Sequence, residues 1–414
     1  MASAPVDAGE RDDAGRSYPT FSLAERDRRW GRVRELMRAE DVACIVASAC
    51  TGVQGRSHAD VKYLTQLGNN DEQFGVAFPI AGAPVVIGWP DRRPGDDWIE
   101  ERRVLEGGFL APATWGRTLA GILRDLDLGD ATIAVCGLGP GGPEMFSAIR
   151  QPEGHVPYAT MQSLQQGLPR ARFVDATPIL GRARYVKGDE EIEFIRVGTT
   201  LAERALYAMV AASHRGAYEP RIYAAMLTAE LEAGGTLPTM ISWTSGPLSS
   251  ANPRLEQPVH RRLCSGDLVS VEVEGRWAGY NGQLDATMTV GDVPGWARDC
   301  QAIAADSTQA TIEAITPGVT FGALRKVARE VTSSPDIEIR LIMGGRGLGD
   351  DGPLVGADGP VDDLEVQEST SFVVKPAVMY QGRFCARVGE TVVVRADGAH
   401  RLGTRPLDHD WHVD

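Results

Sequence analysis

The chain has 414 residues, 43% hydrophobic and 24% charged. Such a composition is that of a soluble globular protein, and the length suits two domains better than one core. A net charge of −14 argues against a nucleic-acid partner, because neutralising phosphates needs a basic surface, and no apolar run is long enough to span a membrane. The acidic, polar stretch from Met1 to Ser17 lacks the basic-then-apolar layout of a signal peptide; residues 1–18 read as a disordered tail of a cytoplasmic protein. The six cysteines, Cys44, Cys50, Cys136, Cys264, Cys300 and Cys385, form no CxxC pair and read as free thiols, mostly buried, rather than as a disulfide framework.

Ser22 with Glu25 has the spacing of a capping box, opening a helix whose apolar face is Trp30, Val33, Leu36 and Met37. Val42 to Val46 is a short continuous apolar run, the pattern of a buried strand. Further strands are predicted at Gly75 to Phe78, Pro84 to Ile87 and Thr132 to Val135, with a helix from Thr118 to Leu128 before the last. Strands alternating with helices predict an α/β domain over residues 19–180. A second domain, 186–414, opens with a helix carrying acidic residues in its first turn (Asp189, Glu190, Glu191) and apolar residues at helical spacing (Ile192, Ile195, Ala202, Leu206, Met209). Another helix is predicted from Trp296 to Ile315, ending at Thr316-Pro317-Gly318, and the turn-rich stretch from Gly344 to Pro360 reads as a loop.

Several segments of the second domain carry candidate chemistry. Gly266-Asp267-Leu268-Val269-Ser270-Val271-Glu272 leads through Gly279-Tyr280 to Asp285-Ala286-Thr287-Met288-Thr289. It resembles the signature of the pita-bread metallopeptidases (prolidase, aminopeptidase P, methionine aminopeptidase), whose two later Asp are metal ligands; Glu272 and Asp285 stand at those places. Gly345-Arg346-Gly347-Leu348-Gly349 resembles that family's Gly-His-Gly-Ile-Gly, with Arg for the ligand His. Val373-Val374-Lys375-Pro376 resembles its Ile-Glu-Pro, with Lys for the ligand Glu. Arg387-Val388-Gly389-Glu390-Thr391 resembles its Arg-Ile-Glu-Asp-Thr, with Gly for the last ligand. Neither Lys nor Arg offers a lone pair, and each repels a cation.

The resemblance implies an α/β N-terminal domain followed by an α+β pita-bread (creatinase/aminopeptidase-like) C-terminal domain. It points to the metal-independent relatives, of which creatinase is one: Ala278 to Thr287 runs without a gap beside the creatinase sequence, whereas the prolidase pattern needs a two-residue insertion. The implied site contains Asp285, Glu272 and Lys375 as catalytic groups, with Arg346 and Lys375 replacing metal charge by pairing with Asp285 and Glu272 or by holding a substrate carboxylate. Their alternative reading is a charge-compensated relic of a lost metal site. A creatinase-like reaction uses a His as proton shuttle. His260 is the nearest candidate, displaced by a longer loop, with a surface histidine as its alternative. Arg387, Tyr280, Trp243, His58 and Glu390 complete the candidate substrate contacts; Trp243 and Tyr280 have core positions as their alternative, and Glu390 would need a register shift.

The resemblance further implies a homodimer in which an N-domain loop with His58 approaches the partner's pocket, a small-molecule substrate and no cofactor. Hydrolysis of a C–N bond in an amino-acid- or amide-type substrate is the leading expectation. Lyase, cyclase or rearrangement chemistry in the same pocket is the second, a non-catalytic binding protein the third, and an intact metallopeptidase the last.

Overall fold

The structure, a computed structural model, describes residues 19–48, 59–68, 74–88, 96–105, 113–139, 156–238, 240–248, 258–348, 350–356, 361–408 and 411–414. His58 and the residue 1–18 tail lie outside the described residues. The chain divides into two compact units, Met1–Glu190 with Leu348–Gly352, and Glu191–Gly347 with Pro353–Asp414.

In the first unit the order is α1 (Leu23–Ala39), β1 (Cys44–Ala47), α2 (Ala59–Thr65), β2 (Gly75–Pro79), β3 (Val85–Ile87), β4 (Glu101–Arg103), α3 (Ala113–Asp125), β5 (Thr132–Val135), α4 (Tyr158–Gly167), β6 (Arg172–Asp175) and α5 (Thr177–Tyr185). The strands form one six-stranded sheet in the order β4-β3-β2-β1-β5-β6. β1, β5 and β6 run parallel, while β2 is antiparallel to β1. The apolar runs read from sequence are its central strands: Val46, Ile87, Ile133 and Val135 pack against Leu119 and Leu123 of α3 and Leu164 of α4. Only half of the expected capping box forms. Ser22 Oγ accepts from the Glu25 amide at 3.2 Å, but the Glu25 carboxylate turns to Arg28 and Arg29, and Glu190 takes the Ser22 amide instead.

The second unit is built around a long hairpin. Its order runs α6 (Asp189–Ala212), α7 (Glu219–Glu232), β7 (Ile241–Pro247), β8 (Asp267–Trp277), β9 (Tyr280–Val290), α8 (Gly295–Ala314), α9 (Phe321–Arg329), β10 (Ile337–Arg340), β11 (Met343–Arg346), β12 (Asp350–Val355), β13 (Ser371–Val374), β14 (Ala377–Tyr380), β15 (Arg383–Arg387), β16 (Glu390–Arg395), β17 (Gly398–Arg401) and β18 (His412–Val413), with the first residues of α6 and β12 falling in the other unit. Three sheets result, in the orders β18-β9-β8-β7, β12-β11-β13-β16-β17 and β10-β14-β15. The Gly344 to Pro360 stretch read as a loop holds strands β11 and β12; Gly344 and Gly345 pair with Val373 and Phe372, so sheet pairing overrides the turn preference of glycine.

Strand alternation gives the β8–β9 hairpin two unlike faces. Val269, Val271, Val273, Leu284, Ala286 and Met288 meet Leu206, Met209, Ile222 and Met226 of α6 and α7. Ser270, Glu272, Glu274, Gln283, Asp285 and Thr287 occupy the other face and are all buried. Helix α6 reaches the hairpin through glycine: a Cβ on Gly275 would lie 2.1 Å from the Gly198 carbonyl oxygen. Among the described residues no helix is long and apolar enough to cross a membrane.

Candidate active site

Buried polar groups must find partners, and the polar face of the hairpin finds them in β13, β15 and their ends. Glu272 and Asp285 sit directly opposite one another in the antiparallel register. Lys375, just beyond β13, donates to Glu272 Oε2 at 2.7 Å. Arg387, the last residue of β15, donates through Nη1 to Glu272 Oε1, and the same nitrogen stands 3.6 Å from Asp285 Oδ2. Gln283 links the carboxylates, its amide nitrogen donating to Glu272 Oε2 at 3.2 Å and to Asp285 Oδ1 at 3.0 Å. Thr287 holds β15 in place: its hydroxyl accepts from the Arg387 amide at 2.9 Å.

Accessibility within this cluster is graded. Asp285 is 0% exposed and Glu272 2%, whereas Lys375 is 7% exposed and the Arg387 side chain 14%. Burial pushes the Asp285 carboxyl above its ordinary pKa, opposed by Lys375 and reinforced by the Glu272 charge. Asp285 Oδ2 accepts no hydrogen bond from the described residues.

Position 389 explains how Asp285 fits. Asp285 and Gly389 exchange both backbone hydrogen bonds, N–H to O at 3.1 and 3.0 Å. A Cβ on Gly389 would fall 2.6 Å from the Asp285 Cβ and 2.9 Å from its Oδ1. In this backbone arrangement a side chain at 389 would force the aspartate or its strand to shift.

The cluster therefore unites Asp285, Glu272, Lys375 and Arg387, and it leaves out several expected members. Arg346 pairs with Glu274 at 3.2 Å. The reason is register: Met343 lies opposite Val374, so Arg346 lies level with Ser371, about 13 Å along the sheet from Lys375. Glu274 in turn stands near the buried Glu230 of α7, whose carboxyl is pushed up to about 9 by burial and by the Glu274 charge. Trp243 and Tyr280 take their core alternative. Both fall on the helix-facing side of the sheet by strand parity, Trp243 in the apolar core and Tyr280 donating to Glu191 at 2.9 Å. Glu390 follows Gly389 and so points to the opposite face, where Arg401 (2.9 Å) and the Gly403 amide (3.1 Å) donate to it. His260 is exposed, its Nδ1 sharing a 2.5 Å hydrogen bond with the Tyr218 hydroxyl. Gln283 was missed; its signal was parity, two residues from Asp285 on one strand.

A six-stranded α/β unit followed by a unit with a long central hairpin flanked by helices, its polar face gathering carboxylates from two strands, is the pita-bread arrangement. Residues 193–396 match metallopeptidase family M24, and the chain has the pita-bread fold. It is 27% identical over 236 residues to a Mycobacterium bovis protein named probable dipeptidase PepE, a match covering 56% of this chain and 62% of that protein, less than two thirds of the relative's length. A Sinorhizobium fredii protein named uncharacterized hydrolase/peptidase y4tM is 26% identical over 336 residues, covering 77% and 79% of the two chains. The fold matches the X-Pro aminopeptidase of Thermotoga maritima with a TM-score of 0.71 at 18% identity, over 92% of this chain and all 100% of the other. It matches dipeptidase PepE of Mycobacterium ulcerans with a TM-score of 0.68 at 20% identity, over 95% and 99%.

The family name implies metal ions, and the residues present do not fit a divalent pair. Both oxygens of Glu272 are engaged by cations, Lys375 and Arg346 offer no lone pair, and Gly389 offers no side chain. Among the described residues no group of three or more His, Cys, Asp or Glu is placed to hold an ion.

Proposed function

We propose that this protein is a metal-independent, creatinase-like enzyme that hydrolyses a C–N bond in a small amino-acid- or amide-type substrate. The observation that supports it is the replacement of liganding groups by a closed ion cluster, with Lys375 on Glu272 and the side-chain-free Gly389 against Asp285. In this reading Lys375 and Arg387 meet the substrate's carboxylate or developing oxyanion and stabilise it as fixed positive charge. Asp285, held above its ordinary pKa by burial, is the acid–base group, taking a proton from water and returning it to the leaving nitrogen. The homodimer, with the N-domain loop at the partner's pocket, belongs to the same proposal.

A second reading, a lyase, cyclase or rearrangement catalyst, is favoured by His260, which is paired with Tyr218 rather than with Asp285 or Glu272. Water activation is the step that a missing histidine weakens most. The test is a substrate panel of guanidino acids, N-acyl amino acids and dipeptides, with products analysed by mass. Addition of water to a substrate supports hydrolysis. A product isomeric with its substrate, or one lacking the added water, moves the reading to the second form. A ligand bound with no product formed overturns catalysis.

A further inference from the structure

The segment after β17 passes behind the bridge between Asp285 and Gly389, fixed by two buried carboxylates. Glu203 of α6 accepts from the amides of Thr404 and Arg405, the latter at 2.7 Å, and from the Thr404 hydroxyl at 2.9 Å. Glu390 accepts from Arg401 and from the Gly403 amide. The segment so held delivers the side chain of Arg405, which is 2% exposed, to the back of the bridge. Its Nη2 donates to the Asp285 carbonyl at 3.1 Å and also to the Gly389 carbonyl.

Anchoring the segment does not need this guanidinium. Glu203 holds it through backbone amides and a threonine hydroxyl, donors available whatever side chain stands at 405. A buried guanidinium is costly, and burial pulls Arg405 below its ordinary pKa against the support of Glu390, Glu203 and Asp285. What the side chain alone adds is a single donor nitrogen spanning both carbonyls of the bridge, and a positive charge behind the aspartate.

We propose that Arg405 is a positioning residue of the candidate site, which clamps Asp285 to Gly389 through their carbonyls and so fixes the Asp285 carboxyl opposite Arg387 and Gln283. The inference rests on the reading of Asp285 as the acid–base group, and it deepens that reading. The charged groups around Asp285 are then Glu272 from β8, Lys375 beyond β13, Arg387 from β15 and Arg405 from the C-terminal segment.

The test uses the full chain labelled with ¹³C at aspartate carboxyls, the Asp285 signal assigned by its loss in Asp285→Asn. Arg405→Met should move the Asp285 titration midpoint upward, because a positive charge behind it is gone, while Arg405→Lys should leave it near the parent value. In Arg405→Lys the Asp285 and Gly389 amides should exchange with solvent at least about fivefold faster, the two-carbonyl clamp being lost. A folded Arg405→Met protein with an unmoved midpoint overturns the proposal. Should that variant not fold, unchanged exchange of both amides in Arg405→Lys overturns it equally. Turnover enters neither readout, so a protein that lacks C–N hydrolysis but shows these shifts refutes the function and sustains the positioning role.

Discussion

Asp351 and Asp285 are both buried aspartates with two cations close by, one in each unit, and their surroundings differ in a way that separates structure from chemistry. Asp351 gives one oxygen to Arg184 and the other to Lys187 at 2.7 Å, and Arg184 is held in turn by Asp60 at 2.8 Å. Those cations outweigh burial and hold the Asp351 carboxyl below its ordinary pKa. Asp285 receives an amide from Gln283 on one oxygen and only a 3.6 Å approach by Arg387 on the other, and burial wins, pushing it up. A cluster meant only to hold a fold satisfies its carboxylates. One that leaves a buried carboxyl under-satisfied is a candidate for proton transfer.

The largest expected effect breaks the structural cluster. Lys187→Met leaves Asp351 with one cation in place of two and should lower unfolding stability by about 3–5 kcal/mol, measured by denaturant titration, with the remaining folded protein keeping its turnover. In the other cluster the loss should fall on rate. Asp285→Asn and Lys375→Met should each cost about 2–4 kcal/mol of transition-state stabilisation, roughly 10²–10³-fold in kcat/KM, while Asp285→Asn remains folded. Equal turnover in both variants and the parent would make the two residues relics.

Gly389→Ala tests the space beside Asp285. The added methyl overlaps the aspartate, so about 1–3 kcal/mol of stability should be lost in thermal melts. An unchanged melt would show that Asp285 has room to move.

The smallest effect is a pH dependence of opposite sign in the two clusters. A carboxyl raised in the folded state binds its proton longer there than in the unfolded chain, so its contribution to stability falls as pH rises above about 4. Asp285→Asn should therefore gain on the parent across that rise. Asp351, depressed in the folded state, contributes stability that is present above about 4 and lost as pH falls through its folded value. Asp351→Asn should be most destabilised at neutral pH and least in acid. Parallel curves for the two variants would erase the distinction between the clusters.

Much of this site was legible through the resemblance of short motifs, whose spacing acts over short distances. Glu272, Asp285, Lys375 and Arg387 sit in segments whose own pattern predicts strands, and the fold brings them together. The pairing of Arg346 with Glu274 was not legible, because its neighbours depend on the register between β11 and β13, which no local pattern states. Glycines at 344 and 345 disguised a strand as a loop for the same reason: their pairing is with Val373 and Phe372, almost thirty residues on. Arg405 was invisible, since its role depends on contacts with Glu203 and Asp285 that are distant in sequence. Parity would have moved Trp243 and Tyr280 to the core and brought Gln283 forward.

The central claim is that cations stand where the family places metal, and chelation tests it most directly. The purified full chain, with a substrate identified from the panel, should be assayed before and after exhaustive treatment with a strong chelator, with metals measured by elemental analysis at both points. The account predicts unchanged turnover and no stoichiometric manganese, iron, zinc or cobalt. Turnover that disappears with a stoichiometric metal and returns when that metal is restored would contradict it.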